Sequence, residues 1–205
     1  MPPLVLGTRN RKKREELADL LAPFGFELLT IADLPEAIEI EETGETFAAN
    51  AALKACEQAR HLRRWVLGED SGLVVDALGG EPGVYSARFS GSEATDQSNN
   101  ELLLARLGNT PIECRTAHYV CDAVLSDPAG LIRAQSDGEC RGRIRLAPAG
   151  SGGFGYDPLF EIVEFHRTFG ELGPVVKACL SHRARAIRAI IPAMLRLVDS
   201  GEWRV

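Results

Sequence analysis

The first elements of the chain follow from the spacing of its apolar residues. Residues 3–7 read Pro-Leu-Val-Leu-Gly, a short apolar run that is typical of a buried strand. Asn10 then stands where a helix N-cap is expected. The apolar positions that follow are three or four residues apart, at Leu17, Leu20, Leu21 and Phe24. This spacing places them on one face of a helix, so the chain opens with a strand, a loop and a helix.

The middle of the chain continues to alternate helix patterns with strand patterns. The predicted elements, in order, are a strand over 26–31, an acidic loop over 32–44, an alanine-rich helix over 45–63, strands over 65–67 and 73–75, a glycine-containing loop over 79–91 and a helix over 96–107. The two short strands flank Glu69-Asp70-Ser71-Gly72, which we therefore expect to form a loop.

The last part of the chain predicts a hairpin and a final helix. Strand patterns over residues 116–125 and 131–146 are separated by the turn sequence Asp127-Pro128-Ala129-Gly130. A helix begins after Ser181 and buries Ile187, Ile190, Ile191, Met194 and Val198. Helices that alternate with strands, followed by a hairpin, predict an α/β fold with a mixed sheet. We expect one domain over residues 1–205, with two lobes around a central cleft.

The charge and hydropathy of the chain exclude two classes of partner. The 23 Lys and Arg residues are fewer than the 29 Asp and Glu residues, and a net charge of −6 repels nucleic acid and anionic lipid. No apolar run reaches the ~18 residues that a membrane helix needs. We therefore expect a cytoplasmic protein that binds no nucleic acid and no membrane, with a local basic pocket for any polyanionic ligand.

The five scattered cysteines form no C-x-x-C pair and are expected to be small buried side chains.

The basic segment after the first strand is a candidate phosphate site. Thr8-Arg9-Asn10-Arg11-Lys12-Lys13 lies at a predicted helix N-terminus, where free backbone N–H groups and the helix dipole favour an anion. No Walker A sequence occurs anywhere in the chain. A basic first turn is also typical of a solvated helix face. However, cations at this end oppose the dipole, which favours a bound phosphate as the explanation.

Acidic residues supply the opposite charge on other segments. Glu42 lies in the acidic loop, and Glu69 and Asp70 lie between two apolar runs. Carboxylates among ligand-binding loops are what Mg²⁺ uses when substrate phosphates and waters complete its coordination. Glu41 and Glu42 taken alone are equally typical of a solvated loop. Asp70 differs because its apolar neighbours predict burial, and a buried carboxylate needs a partner or a chemical role.

A glycine-rich segment near residue 150 fits a dinucleotide-binding motif only formally. Residues 150–155 satisfy G-x-G-x-x-G, but Tyr156-Asp157-Pro158 follows, and proline disfavours the helix that the motif requires. Two interpretations remain: a flexible loop that brings Phe154 and Tyr156 against a flat ligand, or a loop anchored by two buried aromatic side chains.

The start of the last helix carries more donors than a cap requires. Ser181 alone is sufficient as an N-cap, whereas His182 and Arg183 add hydrogen-bond donors that oppose the helix dipole. A ligand with negative charge or carbonyl oxygens would explain them, and a purely structural role would also do so.

Taken together, these segments resemble one family, the inosine triphosphate pyrophosphatases, or RdgB-like enzymes, which remove deaminated purine nucleotides. The resemblance extends from residue 4 to about 195, and its motifs are in the family's order and spacing. The matching segments are 8–13, Glu41-Glu42-Thr43-Gly44-Glu45-Thr46-Phe47, Asp70-Ser71-Gly72-Leu73, 79–88, Gly152-Gly153-Phe154-Gly155-Tyr156-Asp157-Pro158 and Ser181-His182-Arg183.

The resemblance implies a function and a set of site residues. The implied reaction is Mg²⁺-dependent cleavage of ITP, dITP or XTP into the nucleoside monophosphate and pyrophosphate. The implied fold is an elongated mixed β-sheet flanked by helices in two lobes, in a homodimer. Asp70 resembles the general base and a metal ligand, and Glu42 a second metal ligand. The phosphate contacts implied are Thr8, Arg9, Asn10, Arg11, Lys12, Lys13, Lys54 and Lys177. The nucleoside contacts implied are Ser71, Phe154, Gly155, Tyr156, Asp157, His182 and Arg183.

Three positions depart from the family pattern. Arg9 stands where a small residue is frequent, Glu69 where aspartate is usual, and Ala49 where glutamate is frequent. If that glutamate helps to hold metal, this chain has one ligand fewer.

Two other functions remain open from the residues: a pyrophosphatase for modified pyrimidine triphosphates, and a nucleotide-binding module without catalysis.

Overall fold

The computed structural model describes residues 2–203. The strands are β1 (Pro3–Leu6), β2 (Glu27–Thr30), β3 (Val66–Val75), β4 (Thr116–Ser126), β5 (Ile132–Ile144), β6 (Phe160–Ile162) and β7 (Arg167–Thr168). The α-helices are α1 (Arg11–Leu21), α2 (Phe47–Leu62), α3 (Asp96–Leu107), α4 (Phe169–Leu180) and α5 (His182–Asp199). Short 3₁₀ segments, among them Gly83–Arg88, lie in the connecting loops.

The seven strands within residues 2–203 form one sheet, and this sheet is mixed, as the sequence predicts. Its order is β2-β1-β3-β4-β5-β6-β7. Strand β1 is parallel to both β2 and β3, whereas β6 is antiparallel to both β5 and β7. The parallel part comes from the first strand–helix units, and the antiparallel part comes from the second half of the chain.

The chain divides into two compact units. The first contains the described residues up to Asp70, the segment Cys121–Gly138 and the chain from Arg183 onward. Its main core packs apolar side chains of β1, α1, β3, β4 and α5 together. It also contains the stacked rings of Trp65 and Trp203, whose centroids are 4.5 Å apart.

The second unit contains Ser71–Val120 and Glu139–His182 and has a core of its own. That core is centred on aromatic side chains, with the rings of Phe160 and Phe169 stacked at 5.5 Å and Tyr119 tilted against Phe160 at 4.6 Å. Strands β3, β4 and β5 each contribute residues to both units.

Most of the predicted elements are confirmed, including α3 at the predicted bounds and the β4–β5 hairpin. One prediction is wrong: Glu69-Asp70-Ser71-Gly72 is not a loop, because β3 runs without interruption from Val66 to Val75. The sequence reasoning also missed β6, β7 and α4. The strands are only three and two residues long, and α4 has a kink at Gly173 followed by Pro174.

The expectation for the cysteines is correct for only two of the five. Cys121 and Cys140 are buried, Cys56 is half-buried, and Cys114 and Cys179 are exposed. Cys114 ends a short 3₁₀ segment and Cys179 lies in the last turn of α4, and both positions are at the surface.

Within residues 2–203, no helix combines the length and the apolar character needed to cross a bilayer.

Candidate active site

Two acidic residues of β3 lie where its parallel neighbour has ended. Strand β1 pairs with β3 through Val5 with Val66 and Leu6 with Leu67, and then stops. Glu69 and Asp70 follow on β3 and have no partner on β1. The region beyond the carboxyl end of a parallel strand is where open α/β sheets bind ligands.

Glu69 and Asp70 do not act as one acidic pair, because neighbours on a strand point to opposite faces of the sheet. Helix α2 packs closely on one face at Gly68, where an added Cβ would stand 2.6 Å from the Ala51 carbonyl oxygen. Asp70, two residues further on, shares this face and contacts side chains of α2. Glu69 lies on the other face and contacts α1 and α5.

On the α2 face, one lysine joins two carboxylates. Lys54 Nζ lies 2.8 Å from Asp70 Oδ1 and 3.2 Å from Glu42 Oε1. Asp70 Oδ2 accepts a 3.3 Å hydrogen bond from Asn50, whose own Oδ1 accepts from the Gly44 N–H at 2.8 Å. Asn50 and Lys54 are four residues apart on α2 and thus share one face of the helix. Both predicted metal ligands, Glu42 and Asp70, are therefore held by α2.

The electrostatic surroundings suit Asp70 to accept a proton. Burial raises the pKa of the Asp70 carboxyl above its ordinary value, although the Lys54 ammonium opposes this rise. Burial alone would lower the pKa of Lys54, but the carboxylates of Asp70, Glu69 and Glu42 raise it overall. Lys54 therefore stays a cation, while Asp70 is a stronger base than an exposed aspartate.

On the opposite face of β3, Glu69 binds two cations. Its Oε1 lies 2.9 Å from Lys13 Nζ, and its Oε2 lies 3.4 Å from the Arg183 guanidinium and accepts from the Cys121 thiol at 3.4 Å. Arg183 also forms an ion pair with Glu16 of α1. Burial alone would raise the pKa of Glu69, but Arg183, Lys13 and Lys54 hold it well below its ordinary value. Glu69 is therefore ionised although it is only 1% exposed.

The basic segment 8–13 has fewer free backbone donors than predicted. Asn10 caps α1, as expected, but its side chain accepts the N–H groups of both Lys12 and Lys13 at 3.0 and 3.1 Å. Thr8 Oγ1 accepts the N–H of Asn10 at 3.2 Å. An anion at this end of α1 must therefore be bound mainly by side-chain cations.

Side chains at this end of α1 differ in what they contact. Arg9 donates to the Ala37 carbonyl at 3.3 Å, and Arg11 forms an exposed ion pair with Glu15. Lys13 reaches Glu69, as described above, so it lies beside the carboxylates of β3. Of the predicted phosphate contacts in this segment, Lys13 thus contacts a buried carboxylate of β3.

Within the second unit, the loop 153–157 is organised by Asp157. Asp157 Oδ2 accepts from the Phe154 N–H at 2.8 Å and from Lys177 Nζ at 2.6 Å. The Lys177 ammonium also lies 4.3 Å from the Phe154 ring centroid, within cation–π range. These contacts fix the orientation of the Phe154 ring. The loop does not lead into a helix at Tyr156, so the rejection of a dinucleotide-binding motif is confirmed.

Other predicted nucleoside contacts in this unit have clear structural partners. The Tyr156 hydroxyl donates to the Ser86 carbonyl at 2.8 Å, and its ring belongs to the core, so Tyr156 anchors the loop. Gly155 has φ of +59° and accepts through its carbonyl from Asn100 at 2.8 Å. The His182 ring stacks on Tyr119 at 4.6 Å with the planes 10° apart. Ser71 follows Asp70 on β3 and is half-buried.

Arg183 does not require a ligand to explain its position. The predicted conflict between this cation and the α5 dipole is relieved by the carboxylates of Glu16 and Glu69. Its predicted contact with a nucleoside remains a prediction.

The acidic donors on the α2 face fit Mg²⁺ only together with a ligand. Within residues 2–203, no three His, Cys, Asp or Glu residues form a cluster that could hold a metal ion alone. Glu42 and Asp70 provide two carboxylates within reach of one ammonium, and Mg²⁺ commonly takes one or two carboxylates with the rest from phosphates and water. Ala49 adds no donor; it is an exposed residue in the first turn of α2.

Three residues of these arrangements were not predicted from the sequence. They are Asn50, which orients Asp70, Glu16, which pairs with Arg183, and Tyr119, which stacks on His182. Asn50 had a detectable signal, because a polar residue lies among buried alanines one helical turn before Lys54. Glu16 and Tyr119 had none, since each meets its partner from a distant part of the sequence.

The fold and these contacts define an α/β protein with carboxylates and lysines gathered beyond the end of a parallel strand, an arrangement suited to phosphorylated ligands. The sequence model that describes the Ham1 family matches residues 4–193 of this chain. The chain belongs to the Ham1 family.

Similar proteins cover nearly the whole chain. A dITP/XTP pyrophosphatase of Rhodopirellula baltica is 55% identical over 197 residues, which are 96% of this chain and 95% of that protein. One from an Exiguobacterium species is 48% identical over 93% of this chain and 98% of its own. The solved structure of a HAM1 protein from Coxiella burnetii has a TM-score of 0.87 at 32% identity, covering 96% of this chain and 100% of that one. The family resemblance in the sequence is thus confirmed.

Proposed function

We propose that this protein hydrolyses the non-standard purine nucleoside triphosphates dITP, ITP and XTP to the nucleoside monophosphate and pyrophosphate. The observation that carries the proposal is the buried Asp70, held by Lys54 and Asn50, in a chain that is 55% identical to a protein named dITP/XTP pyrophosphatase. Such an activity removes deaminated purines from the nucleotide pool.

The lysines of the first unit bind the phosphate groups. Lys13 and Lys54 each retain N–H donors beyond those that Glu69, Asp70 and Glu42 use, because an ammonium has three. Negative charge develops on the leaving pyrophosphate during cleavage, and fixed cations stabilise it more in the transition state than in the ground state.

Asp70 is the general base for the attacking water. Asn50 and Lys54 fix the two carboxylate oxygens, so the water meets an acceptor of defined orientation. Burial raises the pKa of Asp70, which makes it a stronger base. The protein needs no covalent intermediate for this reaction.

Glu42 and Asp70 would hold Mg²⁺ together with phosphate oxygens of the substrate. Their oxygen donors match the preference of this cation. When bound, Mg²⁺ would neutralise charge on the phosphate oxygens and favour attack at phosphorus.

Residues of the loop 153–157 and of the start of α5 bind the base. Phe154 offers an aromatic ring whose orientation is set by Lys177 and Asp157, and such rings stack on purines. Donors on His182 and Arg183 select the carbonyl oxygen at the six-position of hypoxanthine and xanthine over the amino group of adenine. A site built to pair with one group can reject the mismatched group by ~10⁴.

We also expect a homodimer, as the family resemblance implies, and a cytoplasmic location, as the charge and hydropathy of the sequence indicate. Light scattering on the purified protein checks the oligomeric state, and a mass of 22.2 kDa, that of one chain, would contradict the dimer.

The test is a substrate screen that measures pyrophosphate release with and without Mg²⁺. The substrates are dITP, ITP, XTP, ATP, GTP and the pyrimidine triphosphates. We expect monophosphate and pyrophosphate from the first three and not from ATP or the pyrimidine triphosphates, and only with Mg²⁺. Guanine carries the same carbonyl oxygen at the six-position, so the donors on His182 and Arg183 do not exclude GTP. Equal rates on ATP and ITP contradict the base selection, preference for a pyrimidine supports the rival pyrophosphatase, and no release above background supports a binding module.

A further inference from the structure

Glu69 occupies a position that the proposed reaction does not explain. Its carboxylate is on the face of β3 opposite to Asp70, is almost fully buried and contacts three donors. Two of these, the Arg183 guanidinium and the Cys121 thiol, are themselves buried in the first unit. The third is the ammonium of Lys13, whose side chain is 18% exposed. Glu69 thus contacts the buried side chains of Arg183 and Cys121 and, through its other oxygen, the partly exposed ammonium of Lys13.

We propose that Glu69 is the positioning residue of Lys13: its buried carboxylate fixes the Lys13 ammonium where the phosphate groups of the substrate bind. This inference rests on the proposed function, because it assigns to Lys13 a role in binding phosphate.

The Lys13 side chain needs such a restraint. A lysine side chain has high rotamer entropy, and its four-carbon stem can place the ammonium in many positions. The ion pair with Glu69 Oε1 at 2.9 Å favours one of these positions, and N–H groups of the ammonium remain for a phosphate. The ordering of the side chain is thus completed before substrate binds, which is how a preorganised site reduces the cost of binding.

Glu69 can hold Lys13 because it is fixed itself. Arg183 is 2% exposed as a side chain, forms an ion pair with Glu16 and contacts the second carboxylate oxygen of Glu69. The negative charges of Glu16 and Glu69 balance the positive charges of Lys13 and Arg183. The carboxylate therefore stays ionised and cannot rotate freely, so its other oxygen keeps one direction.

The experiment is a double-mutant cycle on the full-length chain with Glu69→Gln and Lys13→Met. Glutamine has the shape of glutamate but no charge, so it holds the ammonium more weakly. We expect Glu69→Gln to lower kcat/KM for ITP by about 10- to 100-fold. This is the usual cost of replacing a residue that orients a group in direct contact with the ligand. In the Lys13→Met background the same substitution should change kcat/KM by less than about threefold, because interacting residues are not additive.

Two further variants separate positioning from general stability. Glu69→Asp keeps the charge and should retain kcat/KM within about fivefold of the wild type, whereas Gln does not. The matched control is Glu161→Gln, which removes a buried carboxylate of the second unit that pairs with Arg143 at 2.9 Å. It should lower the melting temperature without changing kcat/KM. The inference is overturned if Glu69→Gln costs the same with and without Lys13, or if Asp is as damaging as Gln.

A binding measurement distinguishes failure of this inference from failure of the proposed function. Calorimetry with inorganic triphosphate needs no turnover, and we expect about tenfold weaker binding for Glu69→Gln only when Lys13 is present. If the wild type binds triphosphate, Glu69→Gln weakens this binding, and no nucleotide yields pyrophosphate, the proposed function fails and the positioning role stands. If Glu69→Gln binds triphosphate as the wild type does, or the wild type does not bind it, the positioning role is refuted.

Discussion

At the scale of single residues, Asp70 and Glu69 show how neighbouring acids acquire different properties. The pKa of Asp70 is raised chiefly by burial, because its one strong cationic partner, Lys54, is shared with Glu42. The pKa of Glu69 is well below its ordinary value because Arg183 and Lys13 together outweigh a more complete burial. A general base needs the raised pKa that burial gives Asp70. A carboxylate that holds cations by its charge needs the lowered pKa that Arg183 and Lys13 give Glu69.

Replacement of Asp70 by asparagine tests the general base. Asparagine keeps the size of the side chain and one oxygen, so we expect nucleotide binding to remain near normal. Turnover should fall by roughly 10²- to 10⁴-fold, since the proton acceptor is lost. Calorimetric binding of ITP without Mg²⁺ and steady-state pyrophosphate release measure the two effects.

The control for this variant is Asp137→Asn, which removes an exposed carboxylate from β5 of the same unit. Its turnover should match that of the wild type. Substantial activity in Asp70→Asn would show that another group accepts the proton.

The sequence indicated some of these residue properties and not others. Apolar residues on both sides of Asp70 predicted its burial and hence its chemical role. The opposite orientation of Glu69 could not be predicted, because it depends on β3 being continuous through two acids and a glycine. The contact between Asn50 and Asp70 required the packing of α2 on β3, which no local pattern specifies.

At the scale of elements, the close packing of α2 on β3 positions the proposed catalytic groups. The buried alanines Ala51, Ala55 and Ala59 let the helix approach, and Gly68 leaves room for its backbone. An added Cβ at Gly68 would stand 2.6 Å from Ala51 O and 2.7 Å from Ala55 N. These are backbone atoms, so the helix itself would have to move.

Gly68→Ala should therefore affect stability and catalysis together. Overpacking of this kind costs about 1–3 kcal/mol of the free energy of unfolding. A shift of α2 also displaces Lys54 and Asn50 from Asp70, and a misplacement of about 1 Å can cost about 10²-fold in rate. Thermal denaturation and kcat for ITP measure both effects. A variant with unchanged kcat would show that α2 does not position the base.

Element prediction succeeded where periodic patterns are long. Helices α1, α2, α3 and α5 each carry several turns of apolar spacing, and β4 and β5 are joined by a clear turn sequence. It failed for β6 and β7, whose three and two residues are too few for a periodic signal. It also failed for α4, where glycine and proline residues argue against the helix that tertiary packing stabilises.

At the scale of the whole molecule, the negative charge and the local basic groups have separate consequences. A net charge of −6 disfavours long polyanions, while Lys13 and Lys54 lie beside carboxylates that fix them. The composition predicted the first property. The second depends on tertiary contacts between segments that are far apart in the sequence, as between Lys13 and Glu69.

The two compact units should unfold together although each has its own hydrophobic core. Strands β3, β4 and β5 each belong to both units, so the loss of either core removes neighbours from strands that continue into the other.

Both tryptophans, Trp65 and Trp203, lie in the first unit, and their fluorescence reports on that unit alone. Phe160→Ala removes a fully buried ring from the second unit and should cost about 3–5 kcal/mol of the free energy of unfolding. We expect tryptophan fluorescence and far-UV circular dichroism to shift to the same lower melting temperature in this variant. A drop in circular dichroism that precedes the fluorescence change would show instead that the second unit unfolds independently.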